Sequence, residues 1–159
     1  ETTRLGLMAL ESMMIRGRLG RVVDYGTGTG ILALAAARLG AREVVGIDID
    51  QVAVDTARLN IEANDLADIV TVGLPGVESG LFEVVIANLY LGVLVNHLEY
   101  LAQMMTADGI CCITGFTLEH KSIIESTGAE YNLRLVEEIQ QGPWLLLCME
   151  RVLEERESL

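Results

Sequence analysis

Three glycines alternate with threonines in Gly26-Thr27-Gly28-Thr29-Gly30, and the acidic cluster Asp48-Ile49-Asp50 follows eighteen residues after the last of them. This pairing constrains the fold more tightly than any other stretch. The segment before it, Arg21-Val22-Val23-Asp24-Tyr25, is apolar and β-branched enough for a buried parallel strand. Ile31 to Leu39 is rich in Leu and Ala and reads as a helix closed by Gly40. Glu43 to Asp48 reads as the next strand, ending in a carboxylate. Strand, glycine turn, helix, strand and acid form one βαβ unit suited to a nucleoside. The glycines allow a ligand to approach backbone where a Cβ would intrude. The strand-end acid, Asp48, accepts hydrogen bonds from ribose hydroxyls, with Ile49 beside it as an apolar neighbour of the same ligand.

The spacing bears on which nucleoside. In the dinucleotide pattern G-x-G-x-x-G, a frame started at Gly26 ends on Ile31 and fails. A frame started at Gly28 gives Gly28, Gly30 and Ala33, a permitted variant, so a nicotinamide dinucleotide stays open. Two features favour S-adenosylmethionine (SAM). Asp24 stands just before the glycines, where a carboxylate can meet the cationic amino group of a methionine. The alternation G-x-G-x-G suits a compact nucleoside without a pyrophosphate. Gly26, Gly28 and Gly30 are therefore candidate cofactor residues together with Asp24 and Asp48.

The rest of the chain continues the alternation. Residues 4 to 16 carry apolar side chains at helical intervals, and Gln51 to Asn64 is a second amphipathic helix. Ile69 to Val72 is a short strand broken by Leu74-Pro75-Gly76. Phe82 to Ala87 is an apolar strand ending at Asn88. Leu91 to Met105 places Leu94, Leu98, Leu101 and Met105 on one helical stripe, which is core. Gly109 to Gly115 is a fifth strand and Leu118 to Thr127 a helix. Leu133 to Ile139 and Trp144 to Met149 are a closing strand pair joined by Gln140-Gln141-Gly142-Pro143. Five strands alternating with helices, then a strand pair, predict an α/β, Rossmann-like sheet of seven strands, mostly parallel with one antiparallel strand and helices on both faces.

Composition sets outer bounds. The 159 residues suit one domain, and 51% hydrophobic against 21% charged residues describes a globular chain rather than a disordered one. No apolar run approaches the roughly 18 residues of a membrane span, and no signal peptide is visible, so a cytoplasmic protein is expected. A net charge of −12 argues against direct nucleic-acid binding, which needs a basic footprint, and is compatible with a basic protein partner. Cys111, Cys112 and Cys148 lack metal-ligand spacing and read as buried free thiols of a reducing compartment; no metal is expected. His97 reads as a helix-surface residue and His120 as a loop or helix-start residue. The tail from Glu150 to Leu159 reads as a solvated strand exit and a frayed end.

In such sheets ligands bind at the carboxyl ends of the strands. The predicted strand ends are Asp24, Asp48, the region of Gly73 and Leu74, and Asn88. Methyl transfer from a sulfonium is an in-line displacement that needs a neutral nucleophile and alignment. Asn88 offers a side-chain oxygen and two N–H donors for that alignment. Tyr90 could wall the pocket or meet a charged amine through its ring. The bland alternative for Asn88 is a cap of the following helix.

These residues carry a resemblance. Glu1-Thr2-Thr3, Asp24 to Ala33, Gly46 to Asp50 and Ala87-Asn88-Leu89, with Leu74-Pro75 and Trp144, resemble the bacterial methyltransferases of ribosomal protein L11. The likeness covers nearly the whole chain. It implies SAM as cofactor, with Thr3, Gly26, Asp48 and Asn88 in contact with it. It also implies trimethylation of lysine and N-terminal amines on a basic ribosomal protein. Thr27 stands where the family often has cysteine, and the family's N-terminal substrate-recruiting domain is absent from this sequence. A small-molecule methyltransferase, with a small amine as one candidate partner, and a non-catalytic SAM-fold subunit are the other readings of the same residues.

Overall fold

The computed structural model describes residues 1–152. In chain order the elements are α1 (Thr2–Ile15), β1 (Arg21–Tyr25), α2 (Ile31–Arg38), β2 (Glu43–Ile47), α3 (Gln51–Ala63), β3 (Val70–Gly73), β4 (Phe82–Asn88), α4 (Leu91–Gln103), β5 (Met105–Thr117), α5 (Lys121–Glu130), β6 (Leu133–Gln141) and β7 (Trp144–Arg151). The seven strands form one sheet in the order β3-β2-β1-β4-β5-β7-β6. The pairs β1–β2, β2–β3, β1–β4 and β4–β5 are parallel, and β7 runs antiparallel to both β5 and β6. This is the expected architecture, with its single reversed strand.

Both faces of the sheet are covered, which is why the inner strands are apolar throughout instead of alternating with polar residues. On one face Val22, Val44, Val84 and Ile86 pack with Leu5, Leu10, Ala36, Val54 and Ile61 from α1, α2 and α3. On the other, Val23, Val45, Val85 and Ile113 pack with Leu94, Leu98, Leu101 and Ile124 from α4 and α5. The chain moves outward from β1 to β3, then returns across to β4 on the far side of β1. The strand order therefore reverses between β1 and β4, and a crevice opens there at the carboxyl ends.

Several expectations need adjustment. Helix α4 stops at Gln103, and β5 begins at Met105 instead of Gly109. Met105 pairs with Phe82 and Ile110 with Val84, so Thr106 to Asp108, left between the expected helix and strand, belongs with Gly109 to an irregularity inside a longer strand. No helix separates β3 from β4, so the alternation of strands and helices is interrupted once. A 3₁₀ turn, Leu118–His120, precedes α5, which runs to Glu130. Of the tail expected to fray, Glu150 and Arg151 belong to β7, and residues 153–159 lie outside the described residues. No helix among the described residues is long and apolar enough to cross a membrane.

Candidate functional site

The glycine turn leaves β1 at Tyr25 and enters α2 at Ile31. Gly26 and Thr27 donate their backbone N–H to Ile47 O at 2.8 and 2.9 Å, which ties the turn to the end of β2. Asp24 is almost fully buried beneath it. Its Oδ2 accepts from Thr27 Oγ1 at 2.7 Å and from the Ala33 N–H at 3.1 Å. Its Oδ1 is buried with no partner among the described residues. Loss of hydration pushes the carboxyl up to about 6, against the two hydrogen bonds, which act in the opposite direction. Asp24 thus holds the turn with one oxygen and leaves the other unsatisfied.

Asp48, at the end of β2, is half-buried. It accepts from the Gly28 N–H at 2.9 Å through Oδ2 and from the Asp50 N–H at 3.0 Å through Oδ1. A carboxylate oxygen has two acceptor sites, so each keeps capacity for a ligand hydroxyl. The glycines differ in what they serve. A Cβ on Gly26 would lie 2.4 Å from Leu89 Cδ2, whereas nothing stands within 4 Å of one on Gly28. Gly30 caps α2 and packs on Ala57 of α3, so it sets the spacing of these helices.

Two cavities meet at Leu89. The first, of about 200 Å³, is lined by Tyr25, Gly26, Ile47, Asp48, Ile49, Leu89, Val93 and His97. The second, of about 340 Å³, is lined by Glu1, Thr2, Asn88, Leu89, Tyr90, Gly115 and Trp144. Asp48 and Ile49 thus join Gly26 in one cavity, and Asn88 joins Tyr90 in the other. Thr3, half-buried in the first turn of α1, lines neither; its neighbour Thr2 does. Asn88 is not a helix cap, because the N-cap position of α4 is Tyr90 and no side chain caps that helix. Tyr90 is 85% exposed and forms the rim of its cleft.

Sequence reasoning missed Gly115, His97 and Val93. Gly115 has φ +108°, and a Cβ there would lie 2.1 Å from Leu89 O. Only a glycine lets β5 pass under the Asn88-Leu89-Tyr90 segment, and a glycine inside a strand was the available signal. His97 and Val93 reach the cavity from α4, four residues apart on one helical face.

A third cavity, also about 340 Å³, lies at the opposite ends of the strands among Arg18, Asp108, Arg134 and Glu150. Arg18 is committed there to Glu150 at 2.6 Å and to Asp108 O at 2.7 Å. Cys111, Cys112 and Cys148 are free and buried. Among the described residues no cluster of His, Cys, Asp and Glu is arranged to hold a metal ion.

The family model of ribosomal protein L11 methyltransferase (PrmA) matches residues 1–152. The chain belongs to the ribosomal protein L11 methyltransferase family. The ribosomal protein L11 methyltransferase of Pelobacter propionicus is 38% identical over 156 residues, covering 95% of this chain and 50% of that protein. A solved ribosomal protein L11 methylase from Lactobacillus delbrueckii subsp. bulgaricus superposes with a TM-score of 0.83 at 28% identity, covering 94% of this chain and 78% of that one. Magnesium protoporphyrin IX methyltransferase from Synechocystis, solved with bound SAM, superposes with a TM-score of 0.71 at 18% identity, covering 95% of this chain and 82% of that one. At that identity the likeness carries the fold alone. The chain spans about half the length of the curated relatives it matches. Its family and fold are those of SAM-dependent methyltransferases. The residues fit that cofactor: an apolar cavity beside a strand-end carboxylate, an open approach over Gly28, and an unsatisfied buried acceptor on Asp24.

Proposed function

We propose that this domain binds SAM across the carboxyl ends of β1, β2 and β4 and transfers its methyl group to an uncharged amine held in the neighbouring cleft. The acceptors are lysine side chains and the N-terminal amine of ribosomal protein L11, the protein for which the relatives are named. The observation that carries this reading is the meeting of the two cavities at Leu89. One contains the glycine turn and Asp48, and the other contains Asn88 between aromatic rims. A donor and an acceptor in adjoining pockets are what an in-line displacement requires.

SAM supplies a methyl group on a positively charged sulfur; the amine lone pair forms the new N–C bond and the C–S electrons return to sulfur. Asp48 holds the ribose hydroxyls with the acceptor capacity that Gly28 and Asp50 leave free. Asp24 answers the methionine ammonium through its unsatisfied oxygen, and Gly26, Gly28 and Gly30 form the turn against which the cofactor lies. Ile49 covers the adenosine from the solvent side. Thr3 joins them on the family resemblance, from the first turn of α1. Asn88 accepts an N–H of the incoming amine with its side-chain oxygen, which points the nitrogen lone pair away from itself. Tyr90 and Trp144 offer ring faces to the cationic product. The net charge of −12 favours a basic acceptor protein over nucleic acid. Buried free thiols accord with a reducing, cytoplasmic setting.

The test is calorimetric titration with SAM, its demethylated product S-adenosylhomocysteine (SAH) and NAD, followed by methyl transfer to ribosomal protein L11 and to free amines. SAM and SAH are expected to bind and NAD to fail. Asp48→Ala should weaken SAM about ten- to hundredfold, the loss of a charge-assisted pair of hydrogen bonds. Tight NAD binding, or SAM affinity indifferent to Asp48, would overturn the reading.

A further inference from the structure

The cavity beside Asp48 is almost entirely apolar, and adenine must be recognised by whatever polar atoms remain. Ile47, Ile49, Leu89 and Val93 offer a slot for a flat ring but no hydrogen bond. Asp48 is engaged at the ribose end by Gly28 and Asp50. The loop after β3 carries one nearby carboxylate, Glu78. It is already occupied: Oε1 accepts from Tyr100 Oη, and Oε2 accepts from the Gly76 N–H at 2.8 Å. The remaining polar groups in the lining are the Tyr25 hydroxyl and the His97 imidazole.

The state of His97 follows from its partner. Its Nδ1 lies 2.8 Å from Val93 O. A carbonyl oxygen only accepts, so Nδ1 carries the proton, and in the neutral form of the ring this leaves Nε2 as a bare acceptor. The ring also packs at 5.7 Å, tilted, against Tyr25, which is itself stacked edge-on at 5.8 Å to Tyr100. A helix backbone on one side and an aromatic on the other fix the ring in the cavity wall. A fixed acceptor in an apolar slot selects a ligand edge that donates. The exocyclic amine of adenine is such a donor; the corresponding oxygen of hypoxanthine or guanine is not.

We infer that His97 is a specificity residue of the cofactor site, accepting a hydrogen bond through Nε2 from the exocyclic amine of adenine. The inference rests on the reading of this cavity as the cofactor site. Geometry carries it: the bond to Val93 sets the tautomer, and the lining leaves few competitors.

The experiment compares SAH with its 6-deamino analogue, in which hydrogen replaces the amine, by calorimetric titration of the parent, His97→Phe, Tyr25→Phe and Asp48→Ala. The parent should bind SAH about five- to tenfold more tightly than the analogue, the usual worth of one hydrogen bond. His97→Phe should lose that preference by weakening SAH alone, and Tyr25→Phe should keep it. Asp48→Ala should weaken both ligands by the same factor, which identifies the cavity independently of the base. A parent that binds the two ligands equally overturns the inference without recourse to any variant. So does His97→Phe that weakens both equally, or that keeps the preference. If Asp48→Ala leaves both affinities untouched, the reading of the cavity itself has failed, and that outcome is separate from the first three.

Discussion

The two sides of Leu89 are built in different ways. On the side proposed for the cofactor, Tyr25, Gly26, Asp48 and Ile49 come from a single βαβ unit within twenty-five residues of sequence. On the acceptor side, Glu1, Thr2, Asn88, Gly115 and Trp144 come from the first turn of α1 and the ends of β4, β5 and β7. The first is a local motif that carries its own geometry. The second exists only when the antiparallel pair β5–β7 is in register, with Thr117 opposite Trp144 and Thr114 opposite Leu146. Cofactor binding is thus expected to withstand damage to the far half of the sheet better than methyl transfer does.

The two glycines that flank Leu89 sharpen this contrast most strongly. An added methyl at Gly26 would meet the tip of the Leu89 side chain, which can rotate. One at Gly115 would meet the Leu89 carbonyl and backbone, which cannot move without taking Asn88 along. Gly115→Ala should therefore destabilise the fold by about 3 kcal/mol, from left-handed strain and the backbone clash together. Gly26→Ala should lower stability by only about 1 kcal/mol while weakening SAM as Leu89 is pushed into its cavity. Urea unfolding of both variants checks the first contrast and calorimetry the second. Equal destabilisation by the two would erase the distinction between a movable and a fixed neighbour.

The same division governs what could be read in advance. Asp24, Asp48 and the glycine turn were legible because their roles follow from spacing within one motif. The sheet was legible because buried parallel strands are apolar runs and the hairpin before Trp144 carries Gly142-Pro143. The acceptor side was only partly legible. Asn88 was found as a strand end, but Gly115 was read as the end of β5 when it is a crossing point inside that strand. The start of β5 was missed because Thr106-Ala107-Asp108-Gly109 has turn composition, and pairing with Phe82 overrides it. His97 looked like a surface residue because helical periodicity cannot see a cavity that another element creates.

Asn88 gives the next largest effect and tests the acceptor side alone. With Asp48 and the glycine turn intact, Asn88→Ala should keep SAM affinity nearly unchanged and lose methyl transfer by about a hundredfold, the typical worth of alignment. The parent rate should rise with pH toward the acceptor's own pKa, about 10.4 for an unperturbed lysine, and the variant should follow the same profile at a lower level. Equal losses of binding and turnover would move Asn88 to the cofactor side of Leu89.

The smallest effect concerns Asp24, where the cofactor side bears a cost that the acceptor side does not. Its carboxyl is raised from 3.8 to about 6, chiefly by loss of hydration. The folded chain therefore holds the proton that the unfolded chain has released between pH 4 and 6. More protons on the folded state mean that stability falls as pH rises through that window and is level above it. About two pKa units correspond to roughly 3 kcal/mol at most, offset by the weaker hydrogen bonds a neutral amide would accept from Thr27 and Ala33. Asp24→Asn is thus expected to raise stability near pH 7 by about 1 kcal/mol and to flatten the decline between pH 4 and 6. The measurement is urea unfolding of parent and variant at pH 4 and pH 7 without cofactor. The same substitution should weaken SAM, whose ammonium is proposed to meet the unsatisfied oxygen, and leave the KM for the acceptor amine unmoved. A variant less stable than the parent at pH 7 would make Asp24 a structural anchor of the turn, with no conflict stored for the cofactor to relieve. A change in acceptor KM would mean that the two sides of Leu89 are coupled through the turn.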